Sequence, residues 1–295
     1  MSSHGNRERL VGGVNEGVVI VGTGTIGEHL IGHVAQLPGV HRVTLIDRER
    51  PAARGRGARS RGNRNSKVEG LARRVRRINP GLAVDAICAP VETVPWGRLR
   101  GNVILSTIGS PEGRRRLNQA AWRLGIPWID AGIDAAGEVV HVNAYVPGPD
   151  GACLECGWAP SEAPLSGEAL LTAPPPETGQ VGEDAASGAR GAAAAFAAVE
   201  CMKLLHHDWE RLLEGRQVQI DLRRHTLHAR KADRDPRCGF DHGLWHVDPV
   251  AESPTHLTVG RAIRAAAGGR GLCPDWTLRL EGLPFARRQY CGKCR

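Results

Sequence analysis

Between residues 17 and 47 the chain spells out a strand, a turn, a helix and a second strand. Val18-Val-Ile-Val21 is a short unbroken apolar run, which suits a strand buried on both faces of a sheet. Gly22-Thr-Gly-Thr-Ile-Gly27 follows. Its Gly-x-Gly-x-x-Gly spacing lets the backbone approach a ligand phosphate and aims the first amides of the next helix at it. That helix carries Leu30, Ile31, Val34 and Leu37 on one face and is stopped by Pro38-Gly39. A second apolar run, Val43-Thr-Leu-Ile46, ends in Asp47, twenty residues beyond Gly27. A carboxylate there can accept hydrogen bonds from ribose hydroxyls. Gly22, Gly24, Thr25, Gly27 and Asp47 are therefore candidate nucleotide-binding residues, and the pattern suits ATP and NAD alike.

The remainder of the chain continues the alternation. Lys67 to Ile78 has helical spacing through Val68, Leu71, Ala72 and Val75, and ends at Asn79-Pro80. Strands are expected at Val84–Ala89, Val103–Leu105, Ile126–Ile129 and Val139–Tyr145, with a helix over Arg114–Leu124. Gly188–Leu205 is a helix crowded with small residues, and residues 216–230 read as two strands. Helices alternating with strands predict an α/β fold, a Rossmann-like, mostly parallel sheet flanked by helices. We divide it into a nucleotide-binding half (1–150), a second half with a crossover loop (151–230) and a C-terminal extension (231–295).

Charge is concentrated in one place. Residues 48–77 hold eleven Arg and Lys67 against Glu49 and Glu69 alone, a local surplus larger than the +8 of the whole chain. The Arg/Gly run has no aromatic residue to stack on bases. This argues against a nucleic-acid surface and for a solvated loop, or one facing phosphates or an acidic tail. No apolar run is long enough to cross a membrane, and Met1-Ser-Ser-His-Gly-Asn-Arg7 lacks the apolar core of a signal peptide. A cytoplasmic protein without membrane association is expected.

Eight cysteines in a reducing compartment call for a reason. Cys153-x-x-Cys156 and Cys291-x-x-Cys294 would supply four thiolates in two chelating turns, the tetrahedral arrangement of a structural zinc site. Closing such a site would fasten the extension to the domain. The alternative replaces one pair with Cys238 and His242, from Arg237-Cys-Gly-Phe-Asp-His242.

Taken in order, these features resemble the ThiF/MoeB family of ubiquitin-activating-type adenylyltransferases. The resemblance rests on Val18–Gly27 with Asp47, Ser66-Lys-Val-Glu69, Arg77-Ile-Asn-Pro80, Arg114-Arg-Arg-Leu-Asn118, Gly125-Ile-Pro127, Gly137-Glu-Val-Val140, Cys153-Leu-Glu-Cys156 and the helix ending Val199-Glu-Cys-Met-Lys-Leu-Leu205. It covers about residues 17–230. The family implies Mg2+-ATP, a dimer, and transfer of AMP to the C-terminal carboxylate of a ubiquitin-like or sulfur-carrier protein or of a peptide. It implies Lys67 as the phosphate-contacting lysine. Three departures stand out. The N-terminal arginine segment is reduced to Arg7 and Arg9. The family's Asn-x-x-Arg-Gln loop is replaced by the Arg/Gly run, in which Arg59 lies nearest the expected arginine, with Arg56 and Arg64 as alternatives. Its cation-binding aspartate aligns with Gly109, so the carboxylate would come from Asp130, Asp134 or Glu112, of which Asp130 at a strand end is preferred. No cysteine lies between Gly157 and Glu200 to form a thioester, so activation would stop at the adenylate. The other readings are a degenerate member that binds without turnover, and a nicotinamide oxidoreductase.

Overall fold

The computed structural model describes residues 17–48, 66–134, 136–157, 183–245, 258, 260–262 and 264. Eight strands form one sheet: β1 (Gly17–Val21), β2 (Arg42–Asp47), β3 (Ala83–Cys88), β4 (Val103–Ser106), β5 (Trp128–Ile133), β6 (Val139–Tyr145), β7 (Arg216–Asp221) and β8 (Thr226–Lys231). Their order across the sheet is β3-β2-β1-β4-β5-β6-β7-β8. The pairs from β3 to β5 are parallel, and those from β5 to β8 antiparallel. The switch of direction has a local cause. The link from β5 to β6 is a tight turn in which the Asp134 carboxylate accepts from the amides of Glu138 and Val139, at 2.8 and 2.9 Å. A turn this short returns the chain antiparallel, whereas a parallel neighbour needs a crossover of a dozen residues or more.

Among the described residues four helices cover the sheet: α1 (Thr25–Val34), α2 (Lys67–Ile78), α3 (Pro111–Leu124) and α4 (Glu183–Leu205). β1 is buried along its whole length because both faces are occupied. Val18 and Ile20 meet Leu30 and Ile31 of α1, Val75 of α2 and the alanines of α4, all in one apolar cluster. Val19 and Val21 meet Leu117 and Ala121 of α3 together with Trp96 and Leu99 in a second cluster on the opposite face. α4 lies on α1 and on β4 to β6, with Ala189, Ala193, Ala194 and Ala197 fully buried. Side chains of one carbon let the helix axis approach closely.

The helix ends follow capping chemistry. Ser66 and Glu69 form a reciprocal capping box at the start of α2. α3 begins at Ser110-Pro111, three residues before the apolar periodicity shows it, and ends on Gly125 with φ 67°.

β6 to β8 extend the same sheet as the first half, so β1 to β8 share one framework. Residues 232–245 then double back onto α3. Trp245 N–H donates to the Arg123 carbonyl at 2.8 Å, and the Trp245 ring meets Trp96 at 4.7 Å. Among the described residues no helix is long and apolar enough to cross a membrane.

A candidate nucleotide cleft and a candidate metal centre

The parallel register aligns the strand ends. Val21 stands opposite Ile46 and Ser106, Asp47 opposite Cys88, and Ser106 opposite Asp130. Ligands of open α/β sheets bind along this carboxyl edge, where the strand order reverses on either side of β1. A cleft opens there, lined by Gly22, Gly24, Asp47, Lys67, Glu92 and the Thr107–Ser110 loop.

The glycine turn is shaped by contact as well as conformation. Gly22 has φ +92°, and a Cβ on Gly27 would lie 2.2 Å from the Gly22 carbonyl oxygen. Any side chain at Gly27 would push α1 off the turn. The turn is pinned from both sides: Thr107 Oγ1 donates to the Gly22 carbonyl at 3.0 Å, and Asp47 Oδ2 accepts from Thr23 N–H and Oγ at 2.6 and 2.7 Å. α1 has Gly24 as its N-cap and no side-chain cap, and a Cβ on Gly24 would meet no described atom within 4 Å. Helix amides in that setting favour an anion. Thr25 is exposed at the first position of α1, and Lys67 opens α2 on the far wall.

Asp47 therefore has a loop-holding role that its sequence position did not reveal. Asp47→Ala should weaken ATP binding by about 1.5–3 kcal/mol, as charge-assisted bonds are lost. Thr23→Val isolates the part due to the loop. Calorimetry checks both, and ATP should bind more tightly than NAD. Equal or better NAD affinity would return the cleft to the oxidoreductase reading.

The other expected catalytic residues are placed differently. Arg59 lies outside the described residues. Asp130 is on β5 at the level of the strand ends but does not line the cleft. Its carboxylate accepts from the Arg114 guanidinium of α3, and both side chains are 7% exposed. Burial works against the Arg114 charge, but Asp130 more than offsets it and the guanidinium is held above its usual range. Around this pair burial keeps Tyr145 protonated and His141 unprotonated, pushing the first up and the second down. The sequence reading missed Arg114, because a third of a charge run on a helix looks solvated until the helix is placed. It also missed Glu92, which no motif marks.

The second site lies under α3. Cys153, Cys156, Cys238 and His242 offer four ligand atoms, all within 4.8 Å of one another. Cys153 Sγ is 3.8 Å from Cys238 Sγ, and Cys156 Sγ 3.2 Å from His242 Nε2. Bonds of about 2.3 Å to sulfur in a tetrahedron place sulfurs roughly 3.8 Å apart, so the set fits zinc. Cys153 is pushed up by hydrogen bonds to Cys156 and Cys238, while its bond to Cys156 draws that thiol down to about 4. The same contact with Cys153 lowers Cys238.

Cys291 and Cys294 of the expected ligand set lie outside the described residues; among the described residues, the partners that meet Cys153 and Cys156 are Cys238 and His242, the alternative pair. The reason is the doubling back of 232–245. Trp122 Nε1 donates to the His242 carbonyl at 2.9 Å, Arg123 donates to the Gly243 carbonyl at 2.8 Å, and Phe240 packs edge-on against Trp122. The grip holds His242 at φ 56°, a left-handed conformation that tertiary contacts must stabilise. From the other side Asn118 accepts from Leu154 N–H at 3.0 Å and donates to Glu155 at 3.0 Å.

An open α/β sheet with a glycine-rich turn, an acid on the next strand, a lysine across the cleft and a Cys3His centre at its side defines a class of nucleotide-binding proteins. Within it, the chain belongs to the ThiF family, whose model matches residues 14–240. No curated protein sequence matches the chain. Among solved structures it is similar to Escherichia coli MccB with ATP (20% identity, TM-score 0.56, covering 79% of this chain and 67% of that one). It is equally similar to the microcin C7 biosynthetic enzyme MccB in complex with N-formylated MccA (20%, 0.55, 79% and 68%). PaaA is more distant (16%, 0.53, 77% and 66%). At these identities the likeness is one of fold.

Proposed function

We propose that the protein is an ATP-dependent adenylyltransferase that activates the C-terminal carboxylate of a peptide, or of a ubiquitin-like or sulfur-carrier protein, as an acyl-adenylate. The observation that carries this reading is the cleft itself. Gly22–Gly27, Asp47 and Lys67 meet at the carboxyl edge of the sheet in a chain of the ThiF family. The MccB structures with ATP and with MccA support a nucleotide and a peptide as the two substrates.

In the proposed reaction a carboxylate oxygen forms a bond to the α-phosphorus as the bond to the bridging oxygen breaks, and pyrophosphate leaves with its electron pair. No proton need move. What the protein must supply is alignment of two anions and positive charge for the departing group. Asp47 would hold the ribose, the amides of α1 and the Lys67 ammonium would face the phosphates, and Mg2+ would neutralise charge on the triphosphate. Zinc would be held by Cys153, Cys156, Cys238 and His242 as a structural ion, since four protein ligands leave no open position for chemistry. A cytoplasmic homodimer belongs to the same proposal.

The test is ATP–pyrophosphate exchange with and without candidate peptides. Lys67→Ala should abolish peptide-dependent exchange, a loss of at least a hundredfold if the ammonium stabilises the transition state as charge-donating groups elsewhere do. One observation favours a second reading, binding without turnover: Gly109 stands where a carboxylate is expected. Wild-type protein that binds ATP and peptide but shows no exchange would establish it.

A further inference from the structure

The nucleotide reading requires a divalent cation, and proteins hold the cation of a nucleoside triphosphate through one or two carboxylates. Among the described residues the acids lining the cleft are Asp47 and Glu92. Asp47 Oδ2 is committed to Thr23 at 2.6 and 2.7 Å. Glu92 stands on the opposite wall, half-buried, in the 3-10 turn Val91–Thr93 that follows β3. Its Oε1 is 3.5 Å from the Ser110 hydroxyl, at the long limit of a hydrogen bond, and a Cβ on Gly113 would come within 3.0 Å of it. The carboxylate thus rests against the first turn of α3, whose N-cap Ser110 follows Gly109 directly in the chain. At Gly109 itself a Cβ would meet no described atom within 4 Å, so there is open space where the residue offers no side-chain ligand.

Resting on the adenylyltransferase reading, we infer that Glu92 is the carboxylate that holds the divalent cation of the bound nucleotide, reaching from the β3 side into the space left by Gly109. The competing role is electrostatic: an anion at the first turn of a helix stabilises that helix. The two roles separate by measurement. A helix partner affects stability only, whereas a cation ligand couples Mg2+ to ATP.

ATP titrations by calorimetry, in Mg2+-free buffer without chelator and with millimolar Mg2+, should show at least a tenfold gain in affinity from Mg2+ in the wild-type protein. Glu92→Gln should lose most of that gain while its affinity without Mg2+ stays within about twofold. Gly109→Asp placed in the Glu92→Gln background should restore at least part of it, because a side chain there has room. The electron paramagnetic resonance signal of free Mn2+ gives a second readout: relative to a protein-free control with the same ATP, wild-type protein should lower it further, and Glu92→Gln far less. An undiminished Mg2+ gain in Glu92→Gln, even with a lowered melting temperature, overturns the assignment and leaves the nucleotide reading standing. Absence of any ATP binding by the wild-type protein overturns both.

Discussion

Purified protein is expected to contain one zinc per chain, and Cys238→Ser with His242→Ala to remove it. Cys291→Ser with Cys294→Ser should leave the metal in place. The first result follows from the four ligand atoms lying within 4.8 Å, and the second from that set already filling a tetrahedron. Zinc bound in this way contributes folding free energy, on the order of 10 kcal/mol in small zinc domains, because no preformed site exists in the unfolded chain. Here part of that energy would hold residues 232–245 against α3. Stripping the metal should therefore release the Trp245–Trp96 contact and the Phe240–Trp122 contact, which tryptophan fluorescence reports. Metal analysis showing loss of zinc from the Cys291/Cys294 variant, with retention in the Cys238/His242 variant, would restore the two-pair arrangement that the spacing first suggested.

Arg114→Ala should be among the most damaging substitutions outside the metal centre. Arg114 and Asp130 face each other with 7% of each side chain exposed, so removing the cation leaves a carboxylate without its partner in a poorly solvated layer. Breaking one side of such a pair costs about 3–5 kcal/mol, which for a domain of this size means a fall in melting temperature on the order of 10 °C. Removing both charges with Arg114→Met and Asp130→Asn together should recover much of the loss, since the cost lies in the stranded charge more than in the missing attraction. A double-mutant cycle by thermal unfolding measures the difference. The same series bears on Asp130 as a cation ligand. If Asp130→Asn cut pyrophosphate exchange tenfold while Mg2+-coupled ATP affinity fell with it, the carboxylate would serve the nucleotide as well as Arg114.

Local chemistry made much of the fold readable. Val18–Val21 with Gly22–Gly27 could hardly be anything but strand, turn and helix, because only a doubly buried strand tolerates such an apolar run and only glycine tolerates the 2.2 Å approach at Gly27. α2 begins and ends where its periodicity says, since the Ser66–Glu69 capping box is written into four consecutive residues. α3 was read three residues short because its first turn, Pro111-Glu-Gly113, carries no apolar signal. Its start lies in the Ser110-Pro111 cap instead.

What sequence could not supply was the choice among partners far apart along the chain. Cys-x-x-Cys pairs announce that a metal is wanted, and two such pairs were present. Spacing carries no information about which second pair arrives. Among the described residues Cys238 and His242 arrive there because the hydrogen bonds of Trp122 and Arg123 to the carbonyls of His242 and Gly243 turn one segment back onto α3. Likewise Asp130 was an acid at a strand end until α3 placed Arg114 against it, and Glu92 was unremarked until the turn after β3 brought it to the wall of the cleft. Capping boxes, apolar runs and glycine turns act over a few residues, so they are visible in the order of the letters. Charge pairing and metal ligation depend on distances of a few ångströms across segments dozens of residues apart, and only packing sets those distances.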